Sequence, residues 1–350
     1  MSYAVIGGGN TGQAIAGYLT LKEESVKLYT RDSSKAQRIS TNGLEVKGVY
    51  SGKAMLEAST SMDEVISDAE FIIISTTAMG HEPIISQIKP LLKNNQTIIF
   101  FPGYWGATEC KRILGRDLIK NKNITVAETS AMPFVSIADN AGSVYINKIK
   151  HNVLISTLCK ENPIATSFMN RFPQLILGNS VFETSLNNSN AVIHPPITLF
   201  NAARIDASET FQFYTDGASP YSVNYVEKLD IERLQIASQL KVDTQSILTV
   251  LNEFYETNYP TLYEALPGLF PTGNAPTTLD YRYMTEDIPF GLVPISELGK
   301  ILGVETPYTD SIISTASLLM DSDYRKDGIN FNGLTKENLL DMSAVNKVEL

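Results

Sequence analysis

Tyr3-Ala4-Val5-Ile6-Gly7-Gly8-Gly9-Asn10-Thr11-Gly12 stands at the start of the chain and decides how the rest is read. The first four residues are an apolar run of strand character. Beyond the glycines, Ala14, Ile15, Tyr18 and Leu19 recur at helical spacing. A G-x-G-x-x-G pattern gains meaning when it closes a strand and opens a helix, as here. Gly7 permits the tight turn, Gly9 lets a pyrophosphate approach the backbone, and Gly12 lets helix and strand pack closely. The phosphates then sit on the N–H groups at the helix N-terminus, around Asn10 and Thr11.

Working outward, strand and helix signals keep alternating. Val26 to Tyr29 reads as a second strand, and Phe71-Ile72-Ile73-Ile74 as a parallel strand buried on both faces. Thr97 to Phe101, ended by Pro102-Gly103, is another strand, and Ile124 to Ala127 a shorter one. Such alternation implies right-handed βαβ units. The fold class is therefore α/β: an N-terminal Rossmann-type, doubly wound parallel sheet.

The character changes after about residue 185, and a mostly α-helical second domain is expected. Val226, Leu229, Leu234, Ala237 and Leu240 fit one helix face. Thr306-Pro307 reads as the cap and first residue of a helix running on through Ile312, Ile313 and Leu318. Thr335, Asn338 and Leu339 suggest a last short helix. Leu266 to Thr278, rich in proline and glycine, reads as a loop of fixed path. The polar cluster at Asn187-Asn188 places the boundary between domains 1–187 and 188–350.

The 350 residues fit about two domains. A hydrophobic fraction of 43% and a net charge of −10 describe a globular chain with no general field for nucleic acid or anionic membrane. No apolar run approaches the ~20 residues that span a bilayer. Met1-Ser2 runs straight into the first strand with no signal-peptide pattern, so the cytoplasm is the expected location. Cys110 and Cys159 make no disulfide framework and read as buried filler in a reducing compartment. No metal site is expected.

The end of the second strand selects the dinucleotide. An NAD site wants a carboxylate there for the ribose 2′-OH. The chain has Thr30-Arg31, with Ser33, Ser34 and Lys35 close behind, which suits the 2′-phosphate of NADP; Asp32 keeps NAD possible. Three histidines are candidates for the chemistry. His151 reads as a surface residue of a strand-like stretch. His81 lies beyond the Phe71–Ile74 strand, within reach of a cofactor. His194 precedes Pro195-Pro196, a pair that must start or kink a helix and leave backbone groups without helical partners.

Thr184-Ser185-Leu186-Asn187-Asn188, Asn190-Ala191-Val192 with His194-Pro195, and Asn201-Ala202-Ala203-Arg204 resemble the opine dehydrogenase family, which includes the octopine, nopaline and carboxyethyl-norvaline dehydrogenases. Glu227 to Arg233, Arg282-Tyr283 with Glu286-Asp287, Gly291-Leu292-Val293-Pro294, Phe101-Pro102-Gly103 and Glu128-Thr129-Ser130-Ala131-Met132 fit the same pattern. The resemblance implies a reductive condensation, in which an α-keto acid, usually pyruvate, meets the amino group of an L-amino acid and the imine is reduced by NAD(P)H. It assigns His194 and Asp287 as the catalytic pair and Arg282 to the keto-acid carboxylate. Thr129 and Asn201 are expected to touch substrate, and Pro102 the cofactor. NAD-using relatives carry an acid at the position of Thr30. The residue types suit the chemistry, because imidazole, with an unperturbed pKa of ~6.5, can both give and take a proton.

The amine is not readable, although Phe211, Phe213, Tyr214 and Asp216 mark Thr210 to Tyr221 as a loop able to contact its side chain. A homodimer is expected from the likeness. Two other readings stand beside this one. A 2-keto acid reductase of the ketopantoate or hydroxyacid kind would not call for the His194 and Asp287 stretches. A non-catalytic NADP-binding redox sensor would not need His, Asp and Arg together.

Overall fold

The computed structural model describes residues 1–139, 142–158 and 163–343. Cys159 lies outside them; Cys110 is buried and free. The chain divides into two compact units, the first Met1–Thr184 and the second beginning at Ser185.

The first unit contains strands β1 (Ser2–Ile6), β2 (Ser25–Tyr29), β3 (Leu44–Gly48), β4 (Gly52–Ala54), β5 (Glu57–Ser59) and β6 (Phe71–Ile74). They are followed by β7 (Thr97–Phe100), β8 (Thr125–Thr129), β9 (Phe134–Ala138), β10 (Ser143–Ile149), β11 (Val153–Thr157) and β12 (Leu175–Leu177). Eight of them form one sheet in the order β12-β11-β8-β7-β6-β1-β2-β5. From β5 to β8 every neighbour is parallel, and the turn of direction comes where β11 meets β8. The β6 and β7 strands are buried along their whole length, as a parallel sheet covered on both faces requires.

A second sheet, β4-β3-β10-β9, was not foreseen. Its purpose shows in helix α1 (Asn10–Leu21), whose residues Gly12 to Leu19 are all buried. An amphipathic helix would leave one side wet; this one has no polar side to spare. It packs on β1 and β2 and also on the second sheet. Gly17 lets it come close, since a Cβ there would stand 2.6 Å from the Val46 side chain of β3.

His151 falls in the turn between β10 and β11 rather than in a strand, and Asn152 there takes a φ of 53°. His81 is the first residue of the His81–Ile88 helix and is buried against the Phe100 ring. Burial drives its pKa down to about 3, so the imidazole is neutral across the ordinary pH range.

The second unit is helical, with helices at Asn190–Phe200, Pro220–Leu240, Ile247–Tyr255, Leu262–Leu269, Val293–Leu302 and Pro307–Leu319. Its division from the first falls before Asn187-Asn188. Those two side chains are buried and structural: Asn187 donates to the Asp243 carbonyl at 3.1 Å and accepts from Gln245 N–H at 3.3 Å. A polar pair that satisfies inner backbone groups looks, in sequence, like a linker.

Two further expectations need correction. Leu266 to Leu269 belong to a helix, because Thr261 caps its start through the Glu264 N–H and Pro267 does not break it. The loop begins at Phe270. Leu318 is 85% exposed, so the buried stripe of the Pro307–Leu319 helix ends at Ala316. Buried Glu232 receives the Tyr308 and Thr309 N–H groups at 2.8 and 2.9 Å, filling the first turn of that helix.

Gly12 is the most crowded glycine of the first unit, because a Cβ built on it would lie 1.7 Å from the Gly7 carbonyl oxygen. Gly12→Ala is expected to cost about 1–3 kcal/mol of stability and to abolish dinucleotide binding. Thermal unfolding and NADPH fluorescence measure both; wild-type values for the two would contradict this account of the crossing.

Candidate functional site

The glycine loop runs from β1 into α1. Gly7 N–H donates to the Tyr29 carbonyl at 3.1 Å, tying the loop to the end of β2. No side chain caps α1, and a Cβ built on Gly9 meets nothing within 4 Å. A ligand can therefore come directly onto the N–H groups of the first turn. Asn10 and Thr11 brace that turn. The Asn10 side-chain oxygen accepts from the Ala138 N–H of β9 at 3.1 Å, and the Thr11 hydroxyl meets that of Ser75 at 3.0 Å. These features fit a dinucleotide pyrophosphate.

At the end of β2, Thr30 is buried against Gly8, and its hydroxyl accepts from the Asp32 N–H at 3.3 Å. Asp32 caps the Ser33–Asn42 helix by accepting from Lys35 N–H at 3.0 Å. Its carboxylate thus already has structural work. Lys35 turns back so that its ammonium donates to the Gly8 carbonyl at 3.1 Å, while Arg31 is exposed. The Lys35 ammonium thus sits at the glycine loop, beside the end of β2 that Arg31 follows.

Beyond β7, Pro102 is half-buried, and the Gly103 N–H donates to the Thr129 carbonyl at 2.8 Å. Glu128 is fully buried. Its carboxylate accepts from Ala107 N–H at 3.0 Å and from the Thr184 hydroxyl at 2.8 Å. The Thr129 hydroxyl donates to the Ala131 carbonyl at 2.9 Å. Much of this motif therefore holds the strand ends and the start of the Gly106–Leu114 helix.

In the second unit, His194 lies inside the Asn190–Phe200 helix, which runs on through Pro195 and Pro196. Neither proline can donate to a carbonyl one turn back. Asp287 follows the short Arg282–Thr285 helix, at the start of a wide, π-type turn from Ile288 to Leu292. There the Arg282 carbonyl accepts from both Glu286 N–H at 2.9 Å and Asp287 N–H at 3.1 Å. Pro289, lacking an N–H, sits where the register widens.

These two elements bring His194 Nδ1 to 2.7 Å from Asp287 Oδ2, with both side chains buried. A carboxylate on Nδ1 keeps the proton there and leaves Nε2 as the working nitrogen. Nε2 is 2.9 Å from the hydroxyl of Tyr214. Tyr283 stacks on the imidazole at 3.9 Å between ring centres, and Phe213 meets it edge-on at 6.2 Å. Burial raises the Tyr283 phenol to about 12 and the Tyr214 phenol well above its ordinary value.

Arg282, on the same turn as Tyr283, lies 5.8 Å from its ring centre and 3.9 Å from the Glu286 carboxylate, with 48% of its side chain exposed. Asn201 is occupied with its own surroundings. Its amide donates to the carbonyls of Ile197 at 2.8 Å and Gly217 at 2.9 Å, and its oxygen accepts from Arg204 at 3.2 Å. It thereby ties the helix end to the turn that carries Phe213 and Tyr214. The partnership of Tyr214 with His194 had no sequence signal, since 20 residues separate them. Tyr283 stood in a quoted motif without a role.

Among the described residues, no helix is long and apolar enough to cross a membrane, and no group of three or more His, Cys, Asp or Glu could hold a metal ion.

Residues 177–320 match the family model of the NAD/NADP octopine/nopaline dehydrogenase α-helical domain, and residues 3–108 match that of ketopantoate reductase PanE/ApbA. The chain is 35% identical to an opine dehydrogenase of Arthrobacter sp. (strain 1C) over 95% of its own length and 96% of the relative's. It is 24% identical to a vitopine synthase of Allorhizobium ampelinum, covering 97% and 98% of the two chains. An octopine dehydrogenase solved with NADH and agmatine superposes with a TM-score of 0.79 at 19% identity, over 100% of this chain and 99% of that one. Yersinopine dehydrogenase with NADP⁺ bound gives 0.74 at 14% identity, over 98% and 97%. A nucleotide loop on a parallel sheet, a helical unit with a buried histidine–aspartate pair and this full-length similarity agree: the chain belongs to the opine dehydrogenase family, oxidoreductases that act on CH–NH bonds and use NAD(P)H to condense a keto acid reductively with an amino acid.

Proposed function

We propose that the enzyme prefers NADPH and joins pyruvate to the amino group of an L-amino acid, with His194 as its acid–base group. The observation that carries the reading is the buried His194–Asp287 pair at 2.7 Å. Condensation adds an amine to a carbonyl and then expels water, so one group must take a proton and return it. His194 does this through Nε2, while Asp287 fixes the tautomer and stabilises the imidazolium. Arg282 presents a planar fork to the keto-acid carboxylate. The first-turn N–H groups of α1 hold the pyrophosphate, and Arg31 and Lys35 hold the 2′-phosphate. NADPH, when bound, supplies the hydride. Pro102 and Thr129 are proposed to border the cofactor and the keto acid, and Asn201 to act by holding its turn in place.

NADPH oxidation is measured with pyruvate alone, with L-amino acids alone and with both. The reading requires both together. Turnover with pyruvate alone would instead make the enzyme a 2-keto acid reductase, the kind whose family model matches residues 3–108.

Three substitutions divide the roles. Asp287→Asn is expected to lower kcat by about 10²–10⁴-fold while NADPH affinity, read by fluorescence titration, stays the same. Arg31→Ala should raise the KM for NADPH by about 10–100-fold, the worth of a charge-assisted contact, and leave that for NADH nearly unchanged; equal losses would reject the 2′-phosphate role. Arg282→Lys keeps the charge and loses the plane, so the pyruvate KM should rise far more than the amino-acid KM. An unchanged pyruvate KM would remove Arg282 from the keto-acid site.

A further inference from the structure

We propose that Tyr214 is a further catalytic residue, whose hydroxyl carries the proton between His194 Nε2 and the reacting substrate. The inference rests on the reading of His194 as the acid–base group and gives its proton a path.

The path follows from the geometry. In the plane of the imidazole, the Nδ1 direction ends on Asp287 at 2.7 Å and the Nε2 direction on the Tyr214 oxygen at 2.9 Å. Tyr283 is stacked on the ring at 3.9 Å. A substrate proton bound for Nε2 must therefore pass through the phenol, or the phenol must leave. The turn that holds it is fastened on several sides. Phe213 N–H donates to the Gly273 carbonyl at 2.6 Å, Gln212 N–H to Asp216 at 2.7 Å, and the Thr215 hydroxyl to the Pro271 carbonyl at 3.3 Å. The Tyr214 ring lies 4.9 Å from that of Phe270, and Asn201 grips the Gly217 carbonyl at 2.9 Å. A clamped side chain favours relay over displacement. Burial also keeps the phenol protonated, so it can give a proton only as it receives one.

The step balances. In loss of water from the carbinolamine, the Tyr214 O–H proton passes to the leaving hydroxyl as the C–O bond breaks. The bond's electron pair leaves with the water. The nitrogen lone pair forms the C=N bond, giving the protonated imine. The imidazolium proton moves from Nε2 to the phenol oxygen, so tyrosine ends unchanged and histidine ends neutral.

Tyr214→Phe keeps the ring and removes the hydroxyl. With pyruvate and the best of the twenty L-amino acids, kcat should fall about 100-fold, with NADPH affinity and the circular dichroism spectrum unchanged. The proton inventory separates relay from positioning. In mixtures of H₂O and D₂O, kcat/KM for pyruvate should vary along a curve in the wild type, with two protons in flight, and linearly in Tyr214→Phe. A variant within twofold of wild-type turnover, a linear wild-type inventory, or a curve that survives the substitution would each overturn the relay. His194→Asn is run beside it. If that variant also stays active, the acid–base assignment itself falls; if it alone is inactive, only the relay does.

Discussion

The hydrogen bond between Asp287 and His194 is the constraint to which the second unit answers. A carboxylate this deeply buried is costly unless it is paired and oriented. The pairing in turn demands two irregular pieces of backbone. One is a helix carried through two prolines; the other is a turn widened by one residue. A regular helix at Arg282–Leu292 would rotate every following side chain by about 100° per residue, so the extra residue decides which side chain faces the imidazole. Once the pair is made, the aromatic residues around it act as walls: Tyr283 on one face, Phe213 at the edge, Tyr214 at the far nitrogen.

The first unit answers to a different constraint, the closeness of α1 to its surroundings. Glycine at four points on or before the helix, Gly7, Gly8, Gly12 and Gly17, lets backbone meet backbone or side chain where any larger residue would collide. That closeness leaves the helix start open to a ligand while its side chains are taken up elsewhere. Asn10 and Thr11 look, in a motif, like residues that touch the phosphates. Here both side chains also hold the loop to its neighbours, β9 and Ser75.

Much of this was legible in the chain. Strands β1, β6 and β7 announce themselves because a parallel sheet covered on both faces needs unbroken apolar runs, and Phe71 to Ile74 is one. His194, Asp287 and Arg282 were found by likeness to a family, since 93 residues lie between the histidine and the aspartate. The β3, β4, β9 and β10 sheet was missed because residues such as Glu45, Lys47, Tyr145 and Asn147 alternate with buried neighbours in a way that suits a half-wet surface as well as a loop. The burial of the Asn187 and Asn188 side chains was not legible for a related reason. Polarity alone does not say whether a side chain faces water or a backbone group. Asp32 read only as a possible ribose ligand; its place as the cap of the Ser33–Asn42 helix, through the Lys35 N–H, showed only in the structure.

The second sheet draws together segments made far apart in time. β3 and β4 come from residues 44–54, and β9 and β10 from residues 134–149. The Ala138 N–H holds the Asn10 side chain, and the Ser136 hydroxyl reaches the Asn10 carbonyl at 3.3 Å. A growing chain therefore carries its nucleotide loop from the first dozen residues but cannot finish it until β9 has emerged from the ribosome. At a synthesis rate of about 5–20 residues per second, the loop waits roughly 6–25 seconds for its brace. During that interval neither hydrogen bond to Asn10 can form, and the turn at the start of α1 must hold its shape through its own glycines and the Thr11–Ser75 contact.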